Sequence, residues 1–178
     1  ELGEGGSCSL FGQLQKEPFK LNSLIDEHNP KNTLALAKLQ SIVNYVVEVT
    51  NVDWFGIYQK RSINQGSELV KLAYFGAPSR ATFPLTTEFA AISNNVQVGL
   101  TKRARIINDI PQYLSQGGEY YTCDPKVLAE ACLPVLDSSG ALLGIIDAEA
   151  FRLDFFDEST LALLIAACLV ITECLPID

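Results

Sequence analysis

Residues 129–150, AEACLPVLDSSGALLGIIDAEA, decide the fold. Two apolar runs, 129–136 and 141–150, flank Asp137-Ser138-Ser139-Gly140, a turn cluster whose glycine accommodates positive φ. The pattern predicts an antiparallel hairpin. In its second strand Asp147 and Glu149 are two residues apart, so an extended chain points both carboxylates to one face. Glu130 and Cys132 bear the same relation in the first strand, and Cys123 lies just upstream in a loop beside Asp124. A thiol and three carboxyls are therefore candidates to converge. One reading is a wet face of an antiparallel sheet. The other is a site, because these acids interrupt runs that are apolar on both sides. A buried carboxyl needs a partner such as a ligand amine, a hydroxyl or a backbone N–H.

Working outward, 52–60 (VDWFGIYQK) and 68–75 read as two strands around a turn at 62–67. Alternation puts Trp54, Gly56 and Tyr58 on one face and Phe55 and Ile57 on the other. Trp54 and Tyr58 fit either core packing or the wall of a site. Gly76-Ala77-Pro78-Ser79 breaks the sheet, 82–85 is a short strand, and Thr86-Thr87-Glu88 caps a short helix through Asn94. Strand signal returns at 104–108. Lys102, Arg103 and Arg105 form a basic cluster that reads as solvated surface. Asp109-Ile110-Pro111 leads into a loop with Gly117-Gly118, Tyr120 and Tyr121, which fits either a mobile cover or ordinary surface irregularity.

Asn29 caps, and Pro30 opens, a helix over 30–49 with apolar residues at helical spacing. His28, just before it, reads as an exposed loop side chain. Asp157 and Glu158 begin a terminal helix whose 161–170 segment is apolar all round and so demands burial on more than one side. Cys168 and Cys174 in it read as small hydrophobes, and Cys8 as an incidental exposed thiol. The sum is an α+β single domain, an antiparallel sheet with N- and C-terminal helices packed on one face. Residues 1–28 are an N-terminal extension and 29–175 the domain.

The 178 residues, 48% hydrophobic, suffice for one domain with a substantial core. A net charge of −8 disfavours nucleic acid and anionic membrane as partners and favours a small ligand or a protein. The longest apolar run, 161–171, falls short of the roughly 20 residues a bilayer span needs. Five cysteines without a CxxC pair, and a single histidine, support neither a disulfide framework nor a metal site, so no metal or cofactor is expected. Reduced thiols make the cytoplasm the expected compartment. The chain begins at Glu1 and contains no methionine, which predicts that its natural N-terminus, with any targeting information, lies outside this sequence.

Four segments over about 51–164 resemble the GAF domain family, and more closely its free methionine-(R)-sulfoxide reductase branch. They are VDWFGIY at 52–58, GAPSRATFPL at 76–85, IINDI at 106–110 and the 123–150 run that ends before FFDES at 155–159. The resemblance implies reduction of free methionine (R)-sulfoxide with electrons from thioredoxin, in a cytosolic protein that is often a homodimer. It places Trp54 and Tyr58 at the family's aromatic substrate-site pair, Cys123 at its sulfoxide-attacking cysteine, Glu130 at its following carboxylate, and Asp147 and Glu149 at its paired acids. Glu149 stands where the branch usually has Asp. The branch's two further cysteines are missing, with Arg80 and Ala90 near those places.

Sulfoxide reduction needs a thiolate to attack sulfur while an acid protonates the departing oxygen. Cys123 is the expected nucleophile and Glu130 or Asp147 the proton donor. The remaining carboxyl with Glu149 would bind the substrate's ammonium, and Trp54 and Tyr58 would wall the methyl group. Nearby acids raise a thiol's pKa, so a bound ammonium or backbone N–H groups must offset them. The resulting sulfenic acid needs a second thiol, with Cys132 the local candidate and an external thiol such as thioredoxin the other. The alternative function is a non-catalytic GAF module that binds an amino-acid-like small molecule in the same pocket. A purely structural dimerisation domain would leave the acid cluster unexplained.

Overall fold

The computed structural model describes residues 19–63, 66–120 and 124–177. Cys8, Tyr121 and Cys123 lie outside them, as do residues 1–18 of the N-terminal extension. A six-stranded antiparallel sheet runs in the order β3-β2-β1-β6-β5-β4. Its strands are β1 (Trp54–Ile63), β2 (Gly66–Phe75), β3 (Thr82–Pro84), β4 (Arg105–Ile107), β5 (Ala129–Leu136) and β6 (Leu142–Ala150). The expected hairpin is β5–β6, with Glu130 opposite Glu149 and Cys132 opposite Asp147. Gly140 takes φ +80° in its turn, and the Asp137 carboxylate accepts from the amides of Ser139 and Ala141 at 2.8 and 2.9 Å.

β6 continues onto β1, pairing Trp54 with Glu149 and Gly56 with Asp147. Because side chains alternate, this register puts Trp54, Tyr58, Glu130, Cys132, Asp147 and Glu149 on the same face.

The opposite face is covered by α1 (Pro30–Thr50) and α5 (Glu158–Ile171). Asn29 caps α1 by accepting from Lys31 N, with Pro30 first in the helix, and Asp157 caps α5 by accepting from Thr160 N at 2.8 Å. Leu39, Val43 and Val46 of α1 meet Phe55, Ile57, Ala131, Ile146 and Ala148 of the sheet and Leu164 and Ile171 of α5 in one apolar core. Residues ahead of α1 also pack on the domain, where Ile25 is buried and the Leu24 carbonyl accepts from Arg61.

Three expectations need correction. The helix expected from Thr86 through Asn94 is two helices, α2 (Thr87–Ala90) and α3 (Asn94–Thr101). Ser93 interrupts the first and caps the second, its hydroxyl accepting from Val96 N. The loop after Asp109 opens with a further short helix, α4 (Ile110–Ser115), capped by Asp109 with Pro111 in its first turn. The all-round apolar α5 is buried on one side only. Ile165, Leu169 and Val170 are 53–69% exposed, and Val170 lines an apolar groove with Ile42 and Tyr45 of α1. Cys168 is buried in α5, whereas Cys174 lies beyond the helix end. No helix among the described residues is long and apolar enough to cross a membrane.

Candidate functional site

On the face away from α1 and α5 the sheet is only partly filled. α3 crosses it, with Val96 and Val98 packing on Leu69, Tyr58, Ile145 and Cys132. Beside this packing lies a narrow cleft of about 20 Å³, lined by Trp54, Tyr58, Asn94, Asn95, Glu130, Asp147 and Glu149 among others. Five of the sequence-derived candidates thus meet at one place. Among the described residues no group of His, Cys, Asp and Glu is arranged to hold a metal ion.

Trp54 is held in a slot. Its indole N–H donates to the Ala77 carbonyl at 2.9 Å, and its ring stacks on Tyr74, with the Lys71 ammonium 5.4 Å from its centre. Two glycines leave room for the ring. A Cβ at Gly56 would stand 2.3 Å from the far edge of the indole, and one at Gly76 would stand 2.5 Å from its near edge. Gly76 also takes φ +105°, a conformation that favours glycine. Tyr58, 1% exposed, packs edge-on to Phe83 and closes the cleft below Trp54.

Glu130 and Asp147 form the floor, each 3% exposed. Asn94 donates from Nδ2 to Glu130 Oε1 at 2.6 Å, and Asn95 from Nδ2 to Asp147 Oδ2 at 3.0 Å. Burial raises the Asp147 carboxyl well above its ordinary value, and the charges of Glu130 and Glu149 raise it further. Burial also raises Glu130, but hydrogen bonds from Tyr120, Asn94 and Asp147 and the nearby charge of Arg105 oppose that rise. Burial thus disfavours the charged form of both carboxyls, and of Asp147 the more, because the charges of Glu130 and Glu149 add to it.

Cys132 is fully buried behind that floor, and burial with the charges of Asp147 and Glu130 pushes its thiol well above the ordinary value. It is a core residue in the form the structure describes. Cys168 is likewise pushed up by burial, to about 12. Neither is poised to ionise.

Asn94, Asn95, Tyr120 and Arg105 were not among the sequence-derived candidates. Two consecutive asparagines directly after a Ser N-cap were the available signal for the first pair, hidden by the single-helix reading of 86–94. Tyr120, in the loop read as either a mobile cover or surface irregularity, is 7% exposed and hydrogen-bonded to Glu130. Its burial in the acid cluster raises its phenol well above the usual value. Arg105 is no solvated member of a basic cluster. Its guanidinium bonds to Gln97 and Tyr113, and it pairs with Cys132 in the β4–β5 register.

Residues 36–174 match the GAF domain model, so the chain belongs to the GAF family. No curated protein matches the sequence. Among solved structures it is similar to a type II free methionine-R-sulfoxide reductase from Thermoplasma acidophilum (TM-score 0.66, 18% identity, covering 82% of this chain and 98% of that one). It is similar also to a free methionine-R-sulfoxide reductase from Neisseria meningitidis solved with its substrate (0.65, 19%, 86% and 82%). The GAF domain of an Acinetobacter phosphoenolpyruvate-protein phosphotransferase matches to the same degree (0.64, 16%, 86% and 89%). At these identities the shared property is the fold.

Proposed function

We propose that the cleft binds a small amino-acid-like molecule and that the domain reduces free methionine (R)-sulfoxide there, with Cys123 as nucleophile. The observation that carries this reading is the pair of buried carboxyls, Glu130 and Asp147, in a cleft walled by Trp54 and Tyr58. Asp147, whose acid form burial and its carboxylate neighbours favour, protonates the sulfoxide oxygen while the Cys123 thiolate attacks sulfur. The S–O bond breaks, the oxygen passes to cysteine as a sulfenic acid, and methionine leaves two electrons richer. Trp54 and Tyr58 receive the methyl group, and Glu149 with the ionised Glu130 receives the ammonium. A second thiol then forms a disulfide with Cys123 and releases water. The depth and raised pKa of Cys132 favour an external thiol such as thioredoxin for that step.

A second reading, a GAF module that binds without turnover, is favoured by a specific observation. Cys132 and Cys168, the two buried described thiols, are both held neutral within the apolar packing. The reduced thiols support a cytoplasmic protein, and the exposed apolar side of α1 and α5 supports a homodimer.

Single turnover separates the two readings. Reduced protein is mixed with excess methionine (R)-sulfoxide, and methionine and Cys123 oxidation are measured by mass spectrometry, with Cys123→Ser in parallel. The reductase reading expects one equivalent of methionine from the parent chain and none from the variant. Ligand protection against heating without methionine would leave the binding module.

A further inference from the structure

Arg105 is a half-buried cation that the chemistry above does not use. It pairs with Cys132, next to the pair of Ile107 and Glu130, so its side chain rises on the face that carries the acids. From there its guanidinium forks. One arm donates to Gln97 Oε1 on α3, and Gln97 stands three residues beyond Asn94, one turn along the same side of the helix. Asn94 in turn donates to Glu130 Oε1 at 2.6 Å. The other arm donates to the phenol oxygen of Tyr113 on α4, with the guanidinium carbon 5.1 Å from the centre of that ring. Against the same ring lies Gly118, whose amide donates to the Tyr113 carbonyl at 3.0 Å and where a Cβ would stand 2.2 Å from the ring. Two residues further on, Tyr120 is buried with its phenol on Glu130. Both arms therefore end on the same carboxyl.

We propose that Arg105 is a positioning residue of the cleft, a two-armed tie that locks α3 to α4 and its following turn and so holds the donors of Asn94 and Tyr120 on Glu130. The geometry asks for arginine. A planar fork reaches acceptors on two elements at fixed angles, which a single ammonium does not. The charge matters as well. Around Glu130 stand Asp147 and Glu149 of β6, the Cys132 thiol of β5, Asn94 of α3 and the phenol of Tyr120. Against burial, the hydrogen bonds of Tyr120, Asn94 and Asp147 and then the charge of Arg105 favour the ionised form of Glu130. Arg105 thus acts on Glu130 twice, through the donors it holds in place and through its own charge. The inference rests on the reading of the cleft as a ligand site in which Glu130 takes part, and it adds a residue that acts only through others.

The test is a carbon NMR titration of the chain labelled at glutamate Cδ, with the Glu130 resonance identified by its disappearance in Glu130→Gln. Arg105→Met removes both arms and the charge. The Glu130 midpoint should then rise by about one pH unit, a roughly tenfold tighter hold on the proton. Arg105→Lys keeps the charge without the fork and should recover part of that shift. Gly118→Ala leaves every charge in place while its Cβ displaces the Tyr113 ring, so the midpoint should rise there too, by about half a unit. An Arg105→Met midpoint within about 0.3 units of the parent overturns the proposal. So does an unmoved Gly118→Ala midpoint, which would leave Arg105 acting by charge alone. If Arg105→Met does not fold, Tyr113→Phe, which keeps the ring and the charge and removes one acceptor, decides in its place by the same upward shift. Single turnover on methionine (R)-sulfoxide scores the reductase reading separately. Methionine formed by a parent chain whose Glu130 titration ignores Arg105 removes the tie and keeps the reductase. A shifted titration without methionine keeps the tie and removes the reductase.

Discussion

The two faces of the sheet are built on opposite principles. The face under α1 and α5 is filled by apolar packing from Phe55 and Ile57 across to Ala131, Ile146 and Ala148, with Arg61 buried at one end. The face under α3 carries the same strands, yet it leaves a cleft open and buries two carboxyls with a tyrosine and two asparagines around them. The first face contributes stability through area removed from water. The second gives up some of that stability, since like charges in a poorly hydrated place oppose folding. The contrast teaches where function resides, because a sheet that needed only to fold would have filled both sides alike.

The largest expected effect comes from the helix side. Phe55→Ala empties a fully buried position and should cost about 3–5 kcal/mol, lowering the thermal midpoint while the folded fraction keeps its ligand response. Equal loss of ligand binding would break the separation of the two faces. Next comes Gly56→Ala, whose Cβ would drive the indole of Trp54 from its slot. A cost of about 1–3 kcal/mol is expected in chemical denaturation, together with loss of the ligand-induced fluorescence change. An unchanged fluorescence response would remove Trp54 from the site.

A smaller effect, with the opposite sign, is expected for Asp147→Asn. A carboxyl whose folded pKa is raised binds more protons in the native state than in the unfolded one. Stability therefore falls as pH rises from the ordinary value of 3.8 through the folded value. Asparagine lacks that penalty and still accepts from Asn95. The variant should melt a few degrees higher than the parent at pH 7, the difference closing as pH approaches 3.8, while the proposed turnover is lost. A variant less stable at pH 7 would show that the acid pair is held by more than its two amides. The smallest effect on the fold belongs to Leu169→Lys, at a position 69% exposed on α5. Monomer stability should change by no more than about 0.5 kcal/mol, while sedimentation shows loss of the proposed homodimer. Unaltered sedimentation would place any dimer contact elsewhere.

Much of this was legible from residue order. Asn29-Pro30 and Asp157 marked the two helix starts, the DSSG turn marked the hairpin, and alternation paired Trp54 with Tyr58, Glu130 with Cys132 and Asp147 with Glu149 within their strands, the register joining them on one face. These are local signals, in which a side chain's direction follows from its position along a strand. The breaks came where a single polar residue overrode a run of neighbours. Ser93 split one expected helix into two, and Asp109 turned an expected loop into α4. α5 read as buried all round because apolar composition reports a wish for cover, whereas only the packing of one chain shows which side obtains it.

What the sequence by itself determined was the set of strands, their facing and the acids they present, because periodicity two and periodicity 3.6 are written residue by residue. What only the tertiary structure decided was the company those acids keep. Asn94 meets Glu130 across 36 positions and Asn95 meets Asp147 across 52, because α3 lies over the sheet and not because anything near either residue in the chain requires it. The raised carboxyls, the amides that donate to them and the cleft beside them all follow from that crossing. The physical reason is that a pKa and an unsatisfied acceptor are properties of an environment, and packing assembles that environment from distant parts of the chain.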